Sequence, residues 1–324
     1  VLDVAQKVTH FGPGGRKDND ADNNRPLALV LDEFDGNQFL EGLESRAKHH
    51  FMTQGDGNHF FFVGDWDGHT VIVTHHGSRG LGADLYKRGK AVAERETRKI
   101  ASVPQHQSWI PADTQAGQDY WAALQTVRAW TKVNHFEIHR QVARLLGNRV
   151  AHQFWNEHNF VFQKPDGLFY HAKGATPAFK GFSEDDIGLT LIPMNMGHGI
   201  YIADHNLHHH AESMGFAPHG AGRNLSRGQH MRNLTATYGD ARGLSPDAIQ
   251  RILASETEGI DARFWNGKPD LSELPTAYKS AERIASEIKD FNLVSNLELI
   301  RPMGSIMAGN DDRDWKKIKA QAKE

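Results

Sequence analysis

Apolar and polar positions follow two different periods along this chain, and the places where the period changes mark out its elements. Phe60 to Trp66 and His69 to His76 are rich in aromatic and β-branched residues, and Asp67-Gly68 between them favours a tight reversal, so this stretch predicts a β-hairpin. A second hairpin is predicted where Asn159 to Gln163 and Leu168 to Ala172 flank the four-residue loop Lys164-Pro165-Asp166-Gly167. Between the two, Trp121, Leu124, Val127, Trp130, Val133, Ile138, Val142 and Leu145 recur at helical spacing and predict helix within Gly117 to Leu146. Helical patterns also cover Val1 to Val8, Phe39 to His50 and Ala277 to Phe291, and Gly12 to Asn24 reads as a polar loop. Asp204 to Ala211, with three consecutive histidines, reads as another polar loop, and Asn310 to Glu324 as a charged peripheral helix or disordered tail. Strands and helices mix without regular βαβ alternation, which predicts an α+β fold over residues 1–309 followed by the tail 310–324.

Composition narrows the chemistry. Cysteine is absent, so a thiolate site or disulfide within these 324 residues is excluded, and any metal must sit on His, Asp, Glu or Asn. The 20 histidines suit a borderline divalent metal such as manganese or zinc. No window approaches the roughly 18 apolar residues of a membrane span, and the start lacks a signal-like core, so a cytoplasmic protein without a membrane partner is expected. A net charge of −3 argues against wholesale wrapping of nucleic acid, so an RNA site would have to be local. The best local candidate is Leu85 to Ile100, where Lys87, Arg88, Lys90, Arg95, Arg98 and Lys99 outnumber Glu94 and Glu96, although such a run is more often a solvated helix face.

The hairpins gather histidines. A three-residue loop at Trp66 to Gly68 pairs His59 with His75, whereas a two-residue loop pairs His59 with His76 and turns His75 to the other face. The residues alone leave this register open. In the second hairpin, Gln163 opposite Leu168 puts His158 at the open end against Lys173, beside Gly174. Two further segments have the make-up of anion cradles, because glycine lets backbone N–H groups approach phosphate oxygens and arginine adds a permanent charge. They are Gly77-Ser78-Arg79-Gly80-Leu81-Gly82 and His219-Gly220-Ala221-Gly222-Arg223. His219, at the head of its cradle, stands where a nucleophile or general acid would face a bound phosphate.

Taken together, Gly57-Asn58-His59-Phe60, His75-His76-Gly77-Ser78-Arg79-Gly80-Leu81-Gly82, His158-Asn159-Phe160, Lys173-Gly174-Ala175-Thr176 and His219-Gly220-Ala221-Gly222-Arg223 resemble, in content and in order, the RtcB RNA ligases. The resemblance covers Gln54 to Gly309. It implies that His219 takes a guanylyl group from GTP and passes it to an RNA 3′-phosphate, after which a 5′-hydroxyl seals the strand. RNA ends bearing a 2′,3′-cyclic phosphate are hydrolysed first, and the uses are tRNA splicing and RNA repair. The resemblance also implies Mn2+ ligands at His59, His75 and His158, nucleotide or phosphate contacts at Asn58 and Asn159, and base stacking by Tyr278. It extends the nucleotide site to Pro193-Met194-Asn195-Met196 and to Gly220, Ala221, Gly222 and Arg223, and it favours the three-residue hairpin loop.

The chain also departs from that family pattern. The Asp-Ile-Gly-Cys-Gly segment that supplies an aspartate and a cysteine to the metals would lie before Val1, which leaves three neutral imidazoles. Phe62 stands where the family has Glu, Ala308-Gly309 where it has Lys-Gly, and Ile200 where it has Ser, so guanine discrimination is expected to weaken. The leading expectation is a nucleotide-dependent RNA ligase. The alternatives are a divergent RNA-binding subunit that has lost ligation and a 3′-phosphate-processing enzyme that does not seal.

Overall fold

The structure is a computed structural model that describes residues 1–16, 21–164, 166–179, 181, 186–206 and 213–310, without the Gln105 side chain. The tail from residue 311, the histidine run 208–210 and Pro165 of the second hairpin loop lie outside the described residues. The chain divides into two compact units, one of residues 3–60 and 74–150, the other of residues 61–73 and everything from Ala151 onward.

The first unit opens with α1 (Leu2–Val8), β1 (His10–Phe11), α2 (Arg25–Asp32), α3 (Glu44–His50) and β2 (Thr53–Gly55). The predicted helix over Phe39 to His50 is shorter than its pattern, because Gly42 takes φ 75 and breaks it, leaving Phe39 and Leu40 as buried anchors. After the hairpin strands β3 (Phe60–Trp66) and β4 (His69–His75), whose residues 61–73 belong to the second unit, the first unit resumes with α4 (Arg79–Ile100) and the 31-residue α5 (Gln115–Leu145). Thr114 caps α5 by accepting from the Gly117 amide. One stripe of α5, Ala123, Val127, Trp130, Asn134, Ile138 and Val142, is buried at helical spacing, and Asn134 is its polar exception. Helix α2 packs on α5, α3 on α4, and α4 on α5.

The second unit continues with β5 (Val161–Gln163), β6 (Phe169–His171), β7 (Ala175–Pro177), β8 (Leu189–Asn195), β9 (Gly199–His205) and β10 (Phe216–Pro218). It ends with α6 (Arg227–Tyr238), α7 (Pro246–Glu256), β11 (Asp261–Phe264), α8 (Ala281–Asp290) and β12 (Val294–Met307). Its main sheet runs β4-β3-β12-β9-β8, with β11 parallel to β12, and β7 pairs antiparallel with β10. Ile192 and Met194 of β8, Ala203 of β9, Val294 of β12 and Ile284 and Ile288 of α8 form one apolar cluster. The α+β class is the observed one, and no described helix is long and apolar enough to cross a membrane.

Three expectations change. Asp67 and Gly68 both have positive φ, 50 and 76, the signature of a type I′ turn, so the first hairpin has a two-residue loop and Trp66 faces His69. In the second hairpin Gln163 pairs with Phe169, one residue beyond the expected partner. Continued outward, this register sets His158 against Gly174 instead of Lys173. Asp204 and His205 belong to β9 and not to a loop, and His205 is buried with its Nδ1 3.2 Å from Asp186.

Candidate active site

In the first unit the site begins with a pair of histidines. His59 immediately precedes β3 and His75 ends β4, and their ring centroids are 5.7 Å apart although the loop register sets His75 opposite Phe60. Lying just outside the strand, His59 is not bound to the pleat and reaches His75 diagonally. Phe60 packs its edge against the His75 ring at 5.1 Å.

Arg79 supplies the charge beside this pair. Its Nε donates to Thr53 Oγ1 at 3.1 Å and its Nη2 to the Gly12 carbonyl at 3.2 Å, from a backbone of positive φ. Gly55, with φ 94, makes room: a Cβ there would collide with the Arg79 guanidinium and stand 2.8 Å from His59 Nδ1. Burial, and then the Arg79 charge, hold the His59 pKa down to about 4. The ring is therefore neutral at physiological pH, and its buried Nδ1 has no hydrogen-bond partner. That is the form in which an imidazole ligates a metal.

Behind His75 lies a network that the sequence reading missed. Asn134 Oδ1 accepts from the Met52 amide at 2.6 Å, and its Nδ2 donates to the Thr53 carbonyl at 3.0 Å and to His76 Nε2 at 3.1 Å. Because an amide nitrogen only donates, His76 Nε2 is the acceptor and its Nδ1 carries the proton given to the Gly77 carbonyl at 3.1 Å. The His76 ring stacks on His135 at 3.5 Å, and burial, followed by the His135 charge, holds His76 well below its usual pKa. His135 donates from Nε2 to the His76 carbonyl, which leaves its Nδ1 to accept from Thr74 Oγ1 at 2.6 Å. Thr74 Oγ1 in turn accepts from His139 Nε2 at 2.9 Å. The only trace of this in the sequence is polar residues at positions 134, 135 and 139 of an otherwise amphipathic helix.

The second unit builds its part of the site from backbone. The β7–β10 ladder ends with Pro218 opposite Ala175, so His219 follows at the edge and donates its amide to the Gly174 carbonyl at 3.3 Å. His158 leads into β5, and its ring centroid lies 4.7 Å from that of His219. Asn159, itself at φ 53, accepts from the Gly174 amide at 2.8 Å and fixes that turn, where Gly174 has φ 72. The loop after His219 is pinned on both sides. Ala221 N donates to the Pro193 carbonyl at 3.1 Å, Lys279 N to the Gly222 carbonyl at 3.0 Å, and Asn224 N to the Ala277 carbonyl at 3.0 Å. At Gly220 a Cβ would stand 2.9 Å from the Pro193 carbonyl oxygen, so glycine is what lets the loop lie against β8.

The structure thus brings together Pro193 to Gly197, His219 to Arg223 and Tyr278, and it shows what several of their side chains contact. Met194 and Met196 are buried, and Met194 packs into the apolar cluster with Ile192, so its side chain is spent on the core. The Asn195 side chain accepts from the amides of Gly197 and His198 and shapes the turn after β8. Arg223, expected as a phosphate clamp, directs its guanidinium to buried Glu273 at 3.2 Å and to the carbonyls of Ser272 and Leu225 at 2.7 and 3.0 Å. Glu273, 2 % exposed, also pairs with Arg227 at 2.6 Å and accepts from the Tyr278 hydroxyl. The Arg223 guanidinium lies 5.2 Å from the Tyr278 ring centroid. Burial, and then the Glu273 charge, push the Tyr278 hydroxyl well above its usual pKa. Asn58 is exposed, next to His59.

For the expected Mn2+, His59 and His75 fit as two nitrogen ligands. Among the described residues no group of three His, Asp or Glu side chains converges on one point, and His158 belongs to the other unit. The fit is partial, and no chemical step below runs through the metal.

An α+β protein that carries paired histidines at strand ends beside glycine loops is thereby defined. The chain matches the family model described as tRNA-splicing ligase RtcB over residues 19–308, and it belongs to the RtcB family. It is 28 % identical to the tRNA-splicing ligase RtcB of Aeropyrum pernix, across 83 % of this chain and 62 % of that protein. With the Pyrococcus abyssi protein of that name it shares 29 % identity across 82 % of this chain and 32 % of the relative. For Thermococcus kodakarensis the figures are 28 %, 77 % and 58 %. The chain spans at most about three-fifths of the length of these curated relatives.

Proposed function

We propose that this chain is a nucleotide-dependent RNA ligase, a reading supported by relatives named as tRNA-splicing ligases, with His219 as the nucleophile. The observation that carries the reading is the placement of His219. Its backbone is fixed on Gly174, its ring lies 4.7 Å from His158, and its following loop is pinned to Pro193 and Lys279. A nucleophile held by backbone at the mouth of a glycine loop is preorganised for attack at phosphorus.

The His219 nitrogen attacks the α-phosphorus of a nucleoside triphosphate, forms an N–P bond and releases pyrophosphate. An oxygen of an RNA 3′-phosphate then takes the nucleotidyl group and frees the imidazole. Finally the 5′-hydroxyl oxygen attacks that 3′-phosphorus and displaces the nucleoside monophosphate, joining the ends. A 2′,3′-cyclic phosphate end is first opened by water to the 3′-phosphate. When bound, a divalent metal such as manganese lowers the cost of charge on the phosphoryl oxygens. With Phe62 and Ala308 both buried where the family has Glu and Lys, we propose a nucleotide site with weak base discrimination.

The test is incubation with Mn2+ and α-labelled GTP or ATP. Acid-labile covalent label on the wild type, absent from His219→Ala, is the expected result, and the ratio of the two labels reports base preference. No label on folded, metal-supplied protein would overturn the ligase reading. A second reading, a binding subunit that keeps the fold without ligation, draws on the commitment of Arg223 to Glu273 and on the partial metal set. It predicts RNA binding with no adduct.

A further inference from the structure

Away from these histidines, the first unit has an open cleft of about 470 Å3 between α4, the segment 101–111 and the start of α5. That size lies within the roughly 300–1,000 Å3 in which small molecules are held. Its walls are unusually aromatic for a solvent-facing surface: Tyr86 is 64 % exposed and Trp109 is 41 % exposed. The Trp109 backbone is fixed on both sides. Its amide donates to Thr97 Oγ1 at 2.8 Å, and the same hydroxyl donates to its carbonyl at 2.9 Å, so buried Thr97 ties both sides of that peptide to α4. On the floor, Gly89 sits in the helix interior, where glycine costs about 0.5–1 kcal/mol relative to alanine. The Tyr120 ring occupies the space that a Cβ at position 89 would need. The chain accepts a poor helix former there, and the result is a flat aromatic floor.

Lys90 lines the cleft, and Lys87, Arg95, Arg98 and Lys99 lie on the same helix outside the lining. Lys87 pairs with Asp84 at 2.8 Å, Lys90 with Glu94 at 3.6 Å, and Arg95 and Lys99 share Glu96 at 3.0 and 2.6 Å. Exposed pairs of this kind are worth about 0–1 kcal/mol and give way to a polyanion, and a surplus of positive charge remains once each acid is matched. An exposed indole on a fixed backbone, an exposed phenol and a lysine on a helix of surplus positive charge suit a sequence-tolerant single strand, since bases stack on aromatic faces while phosphates meet the cations.

We propose that this cleft seats a single-stranded segment of the RNA substrate, with bases stacked on Trp109 and Tyr86 and phosphates met by Lys90 and its neighbours on α4. The proposal rests on the RNA reading above. Lys90 in the lining and the surplus positive charge of α4 favour a polyanion as the occupant.

The experiment is fluorescence anisotropy with the full chain, using a labelled single-stranded 3′-phosphorylated RNA and the same sequence as a duplex. The Tyr86→Ala/Trp109→Ala pair is expected to weaken single-strand binding roughly tenfold or more, to leave the weaker duplex binding unchanged, and to leave the thermal transition in place because both side chains are exposed. Trp109→Phe keeps most of the affinity. A 4-thiouridine in the RNA should cross-link to the peptide containing Ser108 to Ile110. Wild-type binding that the double variant leaves unchanged overturns the cleft alone and assigns it to another partner. Absence of RNA binding by the wild type overturns the cleft together with the ligase reading, so the two failures are distinct.

Discussion

His75 and His219 both stand at the end of a short strand, yet they are held by different means. His75 follows Thr74, whose hydroxyl is engaged by His135 and His139, and precedes His76, which is held by Asn134 and stacked on His135. Its placement is a side-chain matter: Phe60 packs on the ring, and the polar residues behind it come from α5, some 60 positions away in the chain. His219 is placed by its own amide on Gly174 and by a glycine loop pinned through the carbonyls of Pro193, Gly222 and Ala277. Side chains enter there at two points: Asn159 accepts from the Gly174 amide, and beneath the loop Glu273 gathers Arg223, Arg227 and Tyr278. Ring stacking and shared protons permit fine placement but demand complete satisfaction, because a half-paired buried network costs more than none. Backbone pairing is more tolerant, and it leaves the histidine accessible for covalent chemistry.

The largest expected effect removes the buried carboxylate beneath the second site. Glu273→Ala strips the buried carboxylate from Arg223 and Arg227 and leaves the Tyr278 hydroxyl without its acceptor. Removing one member of a buried ion pair costs roughly 3–5 kcal/mol when the remaining charge stays buried, and with Arg227 55 % exposed urea unfolding should show a loss at the lower end of that range. Glu273→Gln, which keeps acceptors but no charge, should lose less. Hydrogen exchange at Gly222 and Asn224 should rise in Glu273→Ala. If stability and exchange are both unchanged, the loop is held without Glu273 and the contrast between the two regions sharpens.

The same contrast explains what could be read from the sequence. Glycines that enforce a turn or a close approach are visible as letters, so the loop at His219 and the hairpin tip at Asp67-Gly68 stood out. The register of that hairpin did not, because a left-handed Gly68 suits both a two- and a three-residue loop and the choice rests on Asp67 also adopting positive φ. Helix α5 followed from its apolar stripe, but Asn134, His135 and His139 look like any polar residues of a helix until their partners are known. Arg223 suggested a phosphate because Glu273, the partner that engages it, lies 50 residues away. Strands β8, β9 and β12, the centre of the main sheet, were missed altogether. Pro302 argues against a strand by pattern, but the last pair of β12 with β9 is Ile300 opposite Ile200, so the proline falls beyond that ladder.

Acid sharpens the comparison from the other side, since the first unit also buries His50, 5 % exposed, whose pKa is lowered to about 4 by burial and then by the charges of Arg46 and Arg79. A histidine whose folded pKa lies below its unfolded value binds fewer protons when folded. Stability from this group is therefore present above pH 6.5, falls as pH drops from 6.5 towards 4, and has no further to fall below that. A shift of this size corresponds to about 3 kcal/mol at most. Urea unfolding of wild type and His50→Gln across that window should show a shallower pH slope for the variant. Equal slopes would mean that His50 is solvated or protonated in the folded protein.

Asn134 offers the smallest but most selective perturbation. Its side chain satisfies the Met52 amide, the Thr53 carbonyl and His76 Nε2 at once, so Asn134→Ala leaves three buried polar groups in need of water. An unmet buried group costs about 1–3 kcal/mol, but the cavity left by the amide is polar and can admit a water, so a net loss of about 2 kcal/mol is expected. The more telling readout is metal affinity. If side chains from α5 fix the orientation of His75, then Asn134→Ala should weaken Mn2+ binding about tenfold while leaving the labelling of His219 at saturating metal nearly intact. Asn134→Asp separates the roles further, because it keeps the acceptor for Met52 but replaces the donor to His76 with a carboxylate. That change should disturb His76 more than the Met52 turn, and a variant that binds Mn2+ like wild type would show that His75 is positioned by the β4 backbone, as His219 is by its own loop.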